Sequence, residues 1–214
     1  AILSHFYFKH DSPHQVVGFT IDRAYLKKDT YEGLPVVPFE EIVGHFPPDT
    51  FHMFIPISFK RMNQLRIEKY EKAKQMGYNL ASYVSSKATT WPDLTIGDNC
   101  FIFEDNTIQP YVTIGNNCIL WSGNHIGHHT TIEDHVFVTS HVVISGCCTI
   151  KERCFLGVNA TIRDETIIAE ATLVGMGANI TKDTQPCEIH LGKSSTKMPK
   201  KSIDLDSLSH KSEG

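Results

Sequence analysis

The chain has 214 residues, 41% of them hydrophobic, and a formal net charge of −4. That is ample apolar material for a packed core, which excludes general disorder, and the slight acidity argues against nucleic acid as the main partner. No apolar run approaches a membrane span, no signal peptide is visible, and the six cysteines show no zinc-type spacing, so a reducing, cytoplasmic setting is expected.

In chain order, Ile2 to Lys9 reads as the tail of a helix. Val16 to Asp22 reads as a strand ending in an acidic residue, Leu34 to Val37 as a short apolar run, and Pro38 to Ile42 as a short helix with proline near its first turn. Phe51 to Ile57 is a further strand. Met62 to Met76 is expected to be a helix with Met62, Leu65, Tyr70, Ala73 and Met76 as its buried stripe, stopped by Gly77. Tyr78 to Val84 closes the series. Strands alternating with helices predict a parallel α/β unit over residues 1–84. The first strand and glycine-rich turn of such a unit would lie before Ala1.

From Leu94 to Lys182 a different rule takes over. Every sixth residue from Ile96 to Ile180, fifteen positions in all, is isoleucine, leucine or valine, with no insertion. A period of six fits neither an amphipathic helix nor a simple strand. It fits a triangular solenoid with three six-residue sides, in which side chains 18 positions apart stack. Two residues before each aliphatic come small or slender side chains suited to corners, such as Asn106, Thr130 and Ala160. Cys100, Cys118, Cys148 and Cys154 share that register and read as small buried hydrophobes, whereas Cys147 and Cys187 fall outside it. The β-helix is expected over 85–185 and a C-terminal loop and flexible tail over 186–214, carrying Lys197, Lys200 and Lys201.

The reactive residues concentrate in one stretch: His125, His128, His129, His135 and His141. For any one of them a solvated or interface role is the plain alternative; as a group they suggest a site. Stacking separates them. One turn above His128 is Gly146, which leaves room for a ligand beside the imidazole, and one turn above His125 is Val143, which leaves less. Ser140, Val158 and Met176 also stack, forming a ridge suited to a long, thin ligand.

The repeat, the Asn-His-Ile-Gly-His-His-Thr-Thr-Ile run from Asn124, the Phe-Leu-Gly-Val-Asn run from Phe155 and the Val-Gly-Met-Gly-Ala run from Val174 resemble the left-handed β-helix sugar acyltransferases of the sialic-acid O-acetyltransferase and bacillosamine N-acetyltransferase type. The resemblance covers nearly the whole chain. It implies a mainly β fold, a left-handed parallel β-helix preceded by a small Rossmann-like α/β domain that is incomplete at its start. It further implies acetyl transfer from acetyl-CoA to an amine or hydroxyl of a nucleotide-linked sugar for polysaccharide biosynthesis. The cosubstrate is acetyl-CoA without a metal, and the assembly is a homotrimer with sites between subunits.

Residue by residue, the family's catalytic histidine matches His128. The acidic residue that usually follows it is His129 here, so Glu133, Asp134 or a neighbouring subunit is left to orient the imidazole. Its acetyl-CoA contacts fall on Phe137, Gly146, Val158 and Met176, its nucleotide contact on Asp22, and His125 faces the substrate. Gly192-Lys193-Ser194-Ser195 resembles its Gly-x-Pro-Ala loop without the proline. Two other readings share the solenoid: a γ-class carbonic anhydrase with zinc on three histidines, and a non-catalytic trimerisation module. No histidine lies between Lys60 and Gly123, where the first would need an upstream ligand.

Overall fold

The computed structural model describes residues 1–199 and 201–204; Lys200 and the end of the expected tail, 205–214, lie outside the described residues. The six-residue rule is realised as a parallel β-helix of triangular section. One face stacks seven short strands, from Tyr83–Val84 through Phe137–Val138 to Ile189–His190. A second stacks Thr107–Ile108, His125–Ile126, Val143–Ile144, Thr161–Ile162 and Asn179–Ile180, and a third runs from Thr95–Ile96 to Ile167–Ile168. Within the repeat every partner is 18 residues away, as in Ile126 on Ile144. The aliphatics from Ile102 to Val174 are at most 1% exposed. Full burial of each is worth roughly 1.5–3 kcal/mol.

The corners obey a second rule that hydrophobicity does not reveal. The third residue after each aliphatic has positive φ, from Asn99 (52°) to Gly177 (65°), and nearly every one of these carries a side chain. Short polar residues tolerate this conformation best, and Asn99, Asp105, Asn117, His129, His135, His141 and Asn159 supply it. Inside one corner Asn124 donates to Asn106 Oδ1 (3.0 Å) and accepts from the Val142 N–H (2.8 Å), so the buried amides there are satisfied. Cys100, Cys118, Cys148 and Cys154 are buried and free, each thiol directed at a backbone carbonyl.

The N-terminal part is smaller and less regular than its alternating pattern predicts. A helix covers Ile2–His10, and Phe19–Ile21 pairs in parallel with Leu34–Pro38, which turns back on Thr30–Tyr31. Phe51 to Ile57 joins no sheet and makes one bridge, Met53 to Leu80. The long helix starts at Gln64, because Arg61, Met62 and Asn63 all take positive φ. Its buried residues are Arg66, Tyr70 and Ala73. Tyr83–Val84 is already the first rung of the seven-strand face, so the β-helix begins before residue 85 and ends beyond 185, at Ile189–His190.

This N-terminal part covers the seven-strand face. Phe8 and Phe54 pack on Phe101, and Phe59 packs on Phe137 and Phe155. The corner beside that face is stitched to the segment from Ile55 to Arg66. Ile55 N–H donates to Asn99 Oδ1 (2.8 Å), and Arg66 reaches Asn117 O (3.2 Å) and His135 O (3.0 Å). Asn63 donates to Arg153 O (3.2 Å) and Cys154 O (3.3 Å). Arg66 is 0% exposed, and its hydrogen bonds go to carbonyl and amide oxygens. Burial pulls its guanidinium down to about 10.

Candidate active site

The triangular section disperses the histidine cluster. His125 lies on a strand of the second face. His135 sits at the stitched corner, where it is buried, receives Asn117 Nδ2 at its Nδ1 (2.9 Å) and lies edge-on to Tyr70 (5.5 Å). Burial holds its imidazole below the usual histidine range. His141 occupies the next corner, over Gly123, where an added Cβ would meet its Nδ1 at 2.5 Å. Only His128 and His129 stay together, at the corner opposite the covered face.

At that free corner His128 is tightly framed. A Cβ added to Gly146, one coil on, would stand 2.8 Å from His128 Cε1 and 2.9 Å from Nε2. The ring therefore fills the space that a side chain at 146 would take, and the Gly146 N–H has no acceptor among the described residues. On the other side of the ring, His128 Nδ1 faces His129 Nδ1 at 3.0 Å. The His128 N–H donates to Gln109 Oε1 (2.9 Å). His129 in turn packs at a tilt against Tyr111 (4.7 Å between ring centres). The imidazole is exposed, fixed through its backbone and through Nδ1, and open at Nε2.

Two expected site residues are placed elsewhere by this geometry. Asp134 is at the stitched corner and accepts from the Asn116 N–H (2.7 Å) and side chain, so within one chain it caps a turn and does not orient His128. Its neighbour Glu133 pairs with Lys151 (2.7 Å). Phe137 is 3% exposed, packed against Phe59 and Phe155 under the N-terminal part, and in this arrangement no acetyl-CoA can reach it. The reason is the same for both: a register six or nine residues from His128 is a third or half of a coil away in angle.

Val158 and Met176 stack as their spacing predicts and are exposed, Met176 at 75%. They occupy the corner between the covered face and the second face, not the His128 corner. Gly192 closes on the Met176 backbone, an approach only glycine permits. Asp22 lines a cavity of about 720 Å³ in the N-terminal part, with His5, Phe39, Phe54 and Lys69 among its walls, and forms an ion pair with Lys69. Gln109 went unread in the sequence and Cys147 was read only as lying outside the buried register, although counting 18 or 19 positions from the histidines finds both.

No helix among the described residues is long and apolar enough to cross a membrane. No curated protein sequence matches the chain. Among solved structures it is similar to a variant of perosamine N-acetyltransferase from Caulobacter crescentus in complex with CoA and GDP-perosamine, at 22% identity over 77% of this chain and 78% of that one, TM-score 0.71. It is similar to the acetyltransferase domain of PglB from Neisseria gonorrhoeae at 21% identity over 82% and 83%, TM-score 0.73. WeeI from Acinetobacter baumannii matches at 20% identity over 89% of each chain, TM-score 0.70. These likenesses are of fold, and they identify the solenoid as the left-handed β-helix. Residues 79–187, just over half of the chain, match the family described as the GMPPB C-terminal domain, and the chain belongs to that family.

Proposed function

We propose that the protein transfers an acetyl group from acetyl-CoA to an amine or hydroxyl of a nucleotide-linked sugar, with His128 as the general base. The observation that carries this is the framed imidazole: Nδ1 is engaged by His129 (3.0 Å), and the ring fills the space over Gly146 that any larger residue would take. In the tautomer with a proton on Nδ1, His128 donates to His129 Nδ1 and leaves Nε2 free to accept. Nε2 takes the acceptor's proton as its N or O attacks the thioester carbonyl, and the proton then passes to the departing CoA thiolate. The Gly146 N–H, without an internal acceptor, suits the developing oxyanion. His129 takes the orienting place in which an acidic residue is usual in the resembled enzymes, so an imidazole replaces a carboxylate there.

The same reading requires a homotrimer. The Asp22 cavity belongs to the part that covers one face, His128 sits at the opposite corner, and the Val158–Met176 ridge runs along a third position. One chain alone does not bring the three together; adjacent chains packed on their free faces do. The ridge residues are one coil, about 4.8 Å, apart and would support the pantetheine arm. The similar structures support this choice of ligands, because the perosamine enzyme was crystallised with CoA and a nucleotide sugar. Acetyl-CoA, nucleotide sugars and six free thiols all suit the cytoplasm.

The test is His128→Ala, assayed by CoA thiol release with a panel of nucleotide-linked amino sugars. Turnover is expected to fall by about 10²–10⁴. Stabilisation of the folded protein by acetyl-CoA should persist in the variant. Unchanged turnover would remove His128 from the mechanism.

A further inference from the structure

At the free corner Cys147, a side chain that acetyl transfer does not use, joins the two histidines that it does. One nitrogen from each of His128 and His129 and the Cys147 thiol lie within 4.8 Å of one another, and all three residues are exposed. Cys147 is one coil above His129, and both take the same positive φ, 58°. Equivalent backbones one coil apart project their side chains in parallel, so this pairing is built into the solenoid. The Cys147 N–H donates to His128 O (2.8 Å), which ties the third residue to the same rung. Tyr111, one coil below, packs at a tilt against His129.

The separations suit a tetrahedral ion. The two Nδ1 atoms are 3.0 Å apart. Two imidazoles on zinc at about 2.0 Å each stand about 3.3 Å apart at the tetrahedral angle. The set of two imidazoles and a thiolate is borderline to soft, which favours Zn²⁺ over Mg²⁺ or Ca²⁺. The adjacent Cys148 does not compete, since its thiol is buried and directed at Arg163 O (3.1 Å).

We propose that His128, His129 and Cys147 form a surface site for Zn²⁺ or a similar borderline divalent cation, and that filling it switches off the transferase. Binding releases the Cys147 proton to solvent and places the cation on the lone pairs of both imidazoles. His128 then cannot serve as a base, and the orienting contact with His129 is broken. The switching part rests on His128 being the base; the binding part does not.

The experiment is a Co²⁺ titration of the purified chain, followed by the thiolate-to-cobalt charge-transfer band. One equivalent per chain is expected, displaced by Zn²⁺. Cys147→Ser should abolish the band, and His129→Asn, which tolerates positive φ, should weaken binding by about tenfold or more. Cys187→Ser, at the other exposed thiol, should leave it intact. Zn²⁺ should inhibit CoA release by the wild type reversibly to chelator, and Cys147→Ser should resist. No band in the wild type, or a band that survives in Cys147→Ser, overturns the site. A band without inhibition overturns the switch. Unchanged turnover in His128→Ala would instead remove the base assignment and leave the cobalt result standing.

Discussion

Gly146→Ala separates the chemistry from the fold. The added methyl would stand 2.8 Å from His128 Cε1 and 2.9 Å from Nε2. Carbon–carbon contacts settle near 3.5 Å or more, so the ring must retreat by roughly 0.7 Å. His128 is exposed, and a small rotation into solvent suffices. The stability cost should therefore stay within about 0.5 kcal/mol, as for ordinary surface changes. For catalysis the same movement is large: a misplacement of about 1 Å can cost about 10²-fold in rate. Such a loss corresponds to about 2.7 kcal/mol of transition-state stabilisation. The assay is the initial rate of CoA thiol release, with thermal unfolding of the same samples. Turnover should fall by about two orders of magnitude while the unfolding midpoint moves by about 2 °C or less. Gly44→Ala, where a Cβ meets nothing within 4 Å, is the control and should change neither rate nor binding. The double variant with His128→Ala should be no slower than His128→Ala alone, because both act through one imidazole. Full activity in Gly146→Ala, or additive losses in the double variant, would refute the reasoning.

Arg66→Met should destabilise the protein by about 3 kcal/mol or more, read by urea unfolding, because it strands the buried carbonyls of Asn117 and His135 and frees the part-buried ones of Ile57 and Ser58. Arg66→Lys should fail to rescue it, since an ammonium cannot span two coils. Burial lowers the pKa of His135 in the folded state, so the unfolded chain binds more protons just below pH 6.5, and stability should fall as pH drops through that value and level off below the folded pKa. His135→Asn, which suits the same positive φ, should remove that slope in unfolding measured between pH 7.5 and 5.5. Gly123→Ala combines φ of +77° with a 2.5 Å contact to His141; it should cost about 1–2 kcal/mol of stability and leave the transfer rate unchanged once folded.

The solenoid was legible because its signal is repeated: one aliphatic every six residues leaves a single solution for the core, and the 18-residue stacking then placed Gly146 on His128. The histidine cluster was less legible. His129, His135 and His141 stand six apart because each fills a positive-φ corner, and three steps of six close a triangle, so neighbours in sequence end on different corners. Backbone conformation of this kind leaves no trace in hydrophobic periodicity. Within one chain Asp134 and Phe137 fall away from His128 for the same angular reason. Phe137 was further hidden by the N-terminal part packing over its face. Of the expected stripe, Tyr70 and Ala73 are buried, but Arg66 takes the place expected of Met62 and Leu65, because the surface it meets offers carbonyl oxygens. No helical periodicity reports the polarity of the partner surface.

The stitching from Ile55 to Arg66 has a mechanical consequence. Four successive coils, at Asn99, Asn117, His135 and Arg153, are bonded at one corner to a single short stretch of chain. A solenoid otherwise frays one coil at a time, since each rung touches only its neighbours. Here the rungs up to Cys154 are riveted to a common strap and yield together, whereas those beyond it lie outside the strap. Pulled from its C-terminal end, the chain should peel smoothly down to about Phe155 and then resist. The His128 corner, held between two riveted rungs, lies inside the part that resists.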